Sequence, residues 1–103
     1  MTKLPISVFL IFFTFSAYSQ KTGYDANFYI NRGIDKSELG DYYGAIKDCN
    51  KAIELNPDIA NAYYNRGVAK GELDDQKGAC LDLSKAGELG YFKAYDFIQK
   101  YCK

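Results

Sequence analysis

The sequence predicts an all-α protein of two helical hairpins and a final capping helix. Three observations carry that expectation. Residues 27–60 and 61–94 are identical at 17 of 34 aligned positions. Within each copy, apolar and small residues recur at three- and four-residue steps, the spacing of one helix face. Turn signals fall at the same place in both copies, "GD" at 40–41 and "DD" at 74–75. A fixed period of this length marks stacked supersecondary units, each too small to bury its apolar face alone.

Residues 1–19 stand apart from this pattern. Lys3 gives a positive start, "LPISVFLIFFTF" at 4–15 is an apolar run, and "SAYSQ" follows with small residues at Ala17 and Ser19. This is the three-part pattern of a secretory signal peptide, with cleavage expected between Ser19 and Gln20. The competing reading, a membrane anchor, needs about 20 apolar residues, more than the run supplies. The expected mature chain is residues 20–103. Without Lys3 it carries 12 basic against 13 acidic residues. Its expected location is secreted or periplasmic.

Residues 20–25 form a short lead, and the first unit occupies 26–59. Tyr29, Gly33, Lys36 and Leu39 mark one helix. Ala45, Cys49, Ala52 and Leu55 mark a second, which "NP" at 56–57 ends, because proline cannot continue a helix and turns its predecessor away from helical geometry. The second unit, 60–93, repeats the scheme: a helix to about Leu73, a break, and a helix from Gln76 to about Leu89, with Gly90 as the stop. Residues 94–103, "AYDFIQKYCK", restart a first helix and go no further. Phe97 stands where Tyr63 stood, and Tyr101 replaces the glycine at 67. A terminal helix with no following partner tolerates that exchange. Asp96, Gln99, Lys100 and Lys103 give it the polar outer side of a cap.

The period and these residues resemble the tetratricopeptide repeat. The first unit offers Tyr29, Arg32, Gly33, Lys36, Ala45, Cys49, Ala52 and Pro57; the second offers Tyr63, Arg66, Gly67, Lys70, Ala79, Leu83 and Ala86. Two departures stand out: Arg and Lys occupy positions usually apolar or aromatic, and Tyr91 replaces the second proline. The resemblance implies a right-handed solenoid of two repeats plus the cap. Gly33 and Ala45 lie about equally far from the turn, so two small residues meet across the hairpin and let the backbones approach.

Little in the chain suggests catalysis. There is no histidine. Ser37, Ser84 and Thr22 have no evident base beside them, so a nucleophile–base arrangement cannot be assembled. A phosphate loop is missing, and "DDQKG" at 74–78 is too sparse for a calcium loop. Asp35, Asp48, Asp75 and Asp82 are expected on solvated helix faces. The expectation is a non-enzymatic chain without metal or cofactor. Thirteen basic residues balance thirteen acidic ones, which leaves no excess to grip a phosphate backbone; nucleic acid is not an expected partner.

Three cysteines remain. An exported chain meets an oxidising compartment. If the last two helices run antiparallel about a turn near residue 91, Cys80 and Cys102 are each eleven residues from it and face one another, with Gly87 easing their approach. A disulfide between them is expected, against a competing reading in which the two thiols only pack. Cys49 pairs with no cysteine by the same rule and is expected as a small buried hydrophobe.

The resemblance places a peptide-binding groove along the first helices. Asn27, Ile30, Asn31 and Ile34 fall there from the first unit. Asn61, Tyr64, Asn65 and Val68 come from the second, and Tyr95 and Ile98 from the cap. Asparagine can both donate to and accept from an extended backbone, and tyrosine offers amphipathic contact area. The competing reading leaves Asn31 and Asn65 as decoration of a solvated helix. Ile30 and Ile34 stand where the family's carboxylate clamp has a lysine and an asparagine. Two functions follow as expectations: a module that binds a peptide or protein in the groove, or an assembly module that self-associates through exposed helix faces, giving a homo-oligomer.

Overall fold

Asp25 opens the first helix by accepting a hydrogen bond from the Phe28 amide at 3.0 Å, satisfying one of the amides that a helix start leaves without a partner. The computed structural model describes residues 25–102. The expected signal peptide, residues 20–24 of the lead, and Lys103 lie outside the described residues. Among the described residues there are five helices and no strand: α1 Ala26–Glu38, α2 Tyr42–Leu55, α3 Ala60–Glu72, α4 Gln76–Glu88 and α5 Ala94–Tyr101.

The turns repeat as the sequence does. Asp41 caps α2 through the Gly44 amide at 2.9 Å, and Asp75 caps α4 through the Gly78 amide at 2.9 Å. Just before each cap the chain reverses in the left-handed region, at Gly40 with φ 83° and at Asp74 with φ 66°. Glycine enters that region freely, and aspartate is among the few side chains that tolerate it. Asn56 is extended ahead of Pro57 and ends α2. Gly90, with φ 103°, turns the chain after α4.

Each helix packs on the next in the chain. In addition α1 touches α3 and α3 touches α5, so the first helices lie side by side. The hairpins close on small residues: Ala45, Ala52, Ala79 and Ala86 have at most 1% of their surface exposed. A Cβ built on Gly33 would lie 3.3 Å from the Ala45 carbonyl oxygen, and one on Gly67 would lie 3.2 Å from that of Ala79. These are the close approaches that the paired small residues predict. Two apolar clusters result. One holds Ala26, Ile30, Ala52 and Ala62; the other holds Tyr64, Ala79, Leu83, Ala86, Ala94 and Tyr101.

Asp48 and Asp82 overturn the expectation of a solvated acidic face. They are 3% and 5% exposed. Arg32 holds Asp48 through Nε at 2.9 Å and Nη2 at 2.8 Å, with Lys36 Nζ 3.1 Å away. Arg66 and Lys70 do the same to Asp82. A carboxylate leaves water only when paired and hydrogen-bonded. The arginines and lysines that depart from the family pattern are therefore the partners of these two carboxylates.

Cys80 and Cys102 form a disulfide, with Cα atoms 5.6 Å apart. Cys49 is a free, buried thiol, and burial pushes its pKa up to about 12. Tyr101 is not a solvent-facing end residue. It is 8% exposed and folds back on α3, where Gly71 makes room: a Cβ there would sit 2.6 Å from the Tyr101 ring.

Candidate functional site

The ends of α1 and α3 and the face of α5 enclose an open pocket of about 300 Å³. Ser37 and Glu38 bring the last turn of α1 to it, and Tyr42 adds the start of α2. Val68 and Glu72 come from α3. Phe97, Lys100 and Tyr101 come from the cap. All three first helices thus contribute, because each is displaced from the last by one repeat and they lie in contact.

The aromatic wall is ordered. Phe97 and Tyr101 stack with ring centroids 6.4 Å apart and planes 17° apart. The Tyr101 hydroxyl donates to Glu72 Oε2 at 3.0 Å. Burial raises the Tyr101 pKa, and the hydrogen bond to Glu72 adds to that, while Lys100 opposes it. The hydroxyl stays protonated and a donor at neutral pH. Lys100 keeps its ammonium 4.9 Å from the Tyr101 ring centroid, a cation–π distance. What this arrangement offers is apolar contact, aromatic faces and charge at the rim.

The expected groove residues divide. Val68 lines the pocket. Ile30, at 1% exposure, and Tyr64, at 9%, are core residues and offer no surface to a partner. Ile30 sits among Ala26, Ala52 and Ala62. Tyr64 packs 4.7 Å from Tyr91 and edge-on to Phe97 at 5.5 Å, centroid to centroid. Its hydroxyl pKa is raised first by burial. Ile30 is covered by α2 and α3 together, and Tyr64 by α4, the turn at Tyr91 and α5.

Tyr95 also belongs elsewhere. Its ring lies against Gly87 of α4 and stacks on Phe92. It is two residues before Phe97, about 200° round the helix from it. Asn27 and Asn31 are exposed, and Ile34, Asn61, Asn65 and Ile98 are half-buried outside the pocket lining. The Asn65 side-chain amide donates to the Asn61 carbonyl at 2.7 Å, bonding within its own helix. Of the pocket lining only Val68 is among the expected groove residues; Ser37, Glu38, Tyr42, Glu72, Phe97, Lys100 and Tyr101 are not. The glutamates were visible as one of the identical pairs between the copies.

A family model for the TPR repeat matches residues 37–74. That stretch holds the turn of the first hairpin, all of α2 and all of α3. Over those residues the chain is similar to a tetratricopeptide repeat. No curated protein matches the chain. Tetratricopeptide repeats generally mediate protein–protein interaction and are typically non-enzymatic. Among the described residues, no helix is long and apolar enough to cross a membrane.

Proposed function

We propose that this chain is an exported interaction module that binds a peptide or protein across its first helices. The observation that carries the reading is the pocket shared by α1, α3 and α5, with Val68, Phe97 and Tyr101 as apolar floor and walls. Such a mixture of aromatic surface and a few polar groups is how binding clefts are built. Export rests on the apolar run at 4–15, the small residues before Gln20, and the disulfide, which an oxidising compartment preserves.

The test is affinity capture from cell-envelope extract with the wild-type chain and with Val68→Asp beside it. A partner retained by the first and lost by the second, with unchanged circular dichroism, supports the reading. Equal retention moves the contact surface off the first helices. Intact mass of the exported protein checks the leader: a chain beginning at Gln20 is expected, and an exported chain beginning at Met1 contradicts it.

Self-association is the second reading. It is favoured by Leu39 at 85% and Tyr43 at 72% exposure, two large apolar residues on the first hairpin. Sedimentation decides between the two. A monomer at tens of micromolar removes self-association, and a concentration-dependent dimer that Tyr43→Ser abolishes supports it.

A further inference from the structure

Glu38 and Glu72 occupy the same position in the two repeats, and each is the last residue of its helix, α1 and α3. Both line the pocket. The two helices are successive copies in one stack, so they deliver their C-terminal ends to the same side. Each such end carries roughly half a negative charge from its aligned peptide groups. Carboxylates and helix ends therefore add to one another here.

The partners of the two carboxylates differ. Glu72 accepts from the Tyr101 hydroxyl at 3.0 Å. Glu38 makes no ion pair or hydrogen bond to another described residue. Among the described residues that line the pocket the one cation is Lys100, whose ammonium rests over the Tyr101 ring at 4.9 Å; Lys36 and Lys70, in the last turns of the same two helices, are paired with Asp48 and Asp82. Two carboxylates and two helix ends face one ammonium, with aromatic rings between them. Complementarity to that field is positive, and an aromatic wall adds attraction for a cation.

We infer that the pocket selects a protein segment carrying a lysine or arginine beside an apolar residue, the cation seated toward Glu38 and the apolar neighbour on Val68 and Phe97. The inference rests on the proposed binding across the first helices and names the chemistry of what binds there. Lys100 then has a definite effect: it occupies the same field and competes with the incoming cation.

The experiment is selection of random twelve-residue peptides displayed on phage against the full chain with its disulfide intact. The enriched peptides are then measured by fluorescence polarisation against three variants. Enrichment of peptides pairing Lys or Arg with an apolar residue is expected. Glu38→Gln should weaken their binding about three- to tenfold, as loss of one partly exposed charge pair does. Lys100→Gln should tighten it. Circular dichroism checks that each variant is folded, and Glu72→Gln keeps an acceptor for Tyr101 if Glu38 alone proves too small a change. Enriched peptides that are acidic or lack a cation, or binding that weakens in Lys100→Gln, would overturn the inference while leaving a binding groove in place. Enrichment of no peptide at all would overturn the groove reading and this inference with it.

Discussion

Arg66 grips Asp82 at two points, Nε to Oδ2 at 2.7 Å and Nη2 to Oδ1 at 2.7 Å. The two residues are each eight positions from the turn at Asp74. Arg32 and Asp48 stand in the same relation about Gly40. Each pair staples the two helices of its hairpin across a contact made of glycine and alanine, where apolar side chains are too small to do so. Arg66 also donates to Asn50 Oδ1 at 2.8 Å, so the second staple reaches back to the first hairpin.

Removing the carboxylate should therefore cost more than removing one cation. Asp82→Ala leaves Arg66 and Lys70 facing each other without their shared anion, and about 2–4 kcal/mol of stability should be lost. Asp48→Ala should cost less, because the Arg32 side chain is 47% exposed where Arg66 is 19% exposed, and water takes over more of its charge. Arg66→Gln should also cost less than Asp82→Ala, since Lys70 remains. Urea unfolding of the three variants checks the order.

Stability should also fall in acid. The hydrogen bond from Arg32, helped by Lys36, holds the Asp48 carboxyl below its ordinary 3.8 despite the opposing effect of burial. A carboxylate whose pKa is lower folded than unfolded contributes stability above the unfolded value, and loses it as pH falls through the folded one. The contribution of Asp48 is thus complete above about pH 4 and erodes below it. Asp48→Asn should be less stable than wild type at pH 7, with the gap closing below pH 4. A gap constant from pH 7 to pH 2.5 contradicts the ion pair.

Much of the architecture was legible because it was written twice. The hairpins, their turns and the cap follow from the tandem copy. The facing rule that paired Cys80 with Cys102 also pairs Arg66 with Asp82, had it been applied to charges. Composition argued instead for a solvated acidic face, since aspartate is rarely buried unless paired. The site was less legible. Tyr64 and Ile30 sit on the expected helix face, but period alone does not say how far the helices packed against it overlap that face. Tyr101 stands where both repeats have glycine, an exchange that a terminal helix tolerates, and it is buried. Its burial depends on Gly71, a position where the first unit has Ser37, so the repeat gave no warning.

The thiols should separate cleanly. The Cys80–Cys102 bond spans 22 residues of sequence, and loop closure of that size contributes roughly 3 kcal/mol. Reduction should lower the melting midpoint and fray α5 before α1 and α2. Cys49 is fully buried with its pKa pushed up to about 12, so at pH 8 it should resist iodoacetamide until the chain unfolds. Intact mass with and without denaturant reads both claims. Rapid labelling of three thiols in the native oxidised chain contradicts them.

The two hairpin glycines should not be equally tolerant. A Cβ at Gly67 would lie 3.0 Å from Leu83 Cγ and 3.1 Å from Asp82 Cβ, whereas at Gly33 the nearest atom is 3.3 Å away. Alanine gains about 1 kcal/mol of helix propensity over glycine at either site. Gly33→Ala should come out near neutral, and Gly67→Ala should lose about 1–2 kcal/mol through overpacking. Thermal melts of the pair decide it, and equal midpoints would contradict the tighter contact in the second hairpin.

The most direct measurement of binding across the first helices uses Val68. It is the single valine outside the expected signal peptide, and it lines the pocket. Selective labelling of valine methyl groups therefore gives one residue's signals from the mature chain. Adding a bound partner, whether a captured protein or a selected peptide, should shift or broaden the Val68 methyl resonances in step with occupancy. Val68 signals that stay fixed while the partner is shown to be bound would contradict a site shared by α1, α3 and α5.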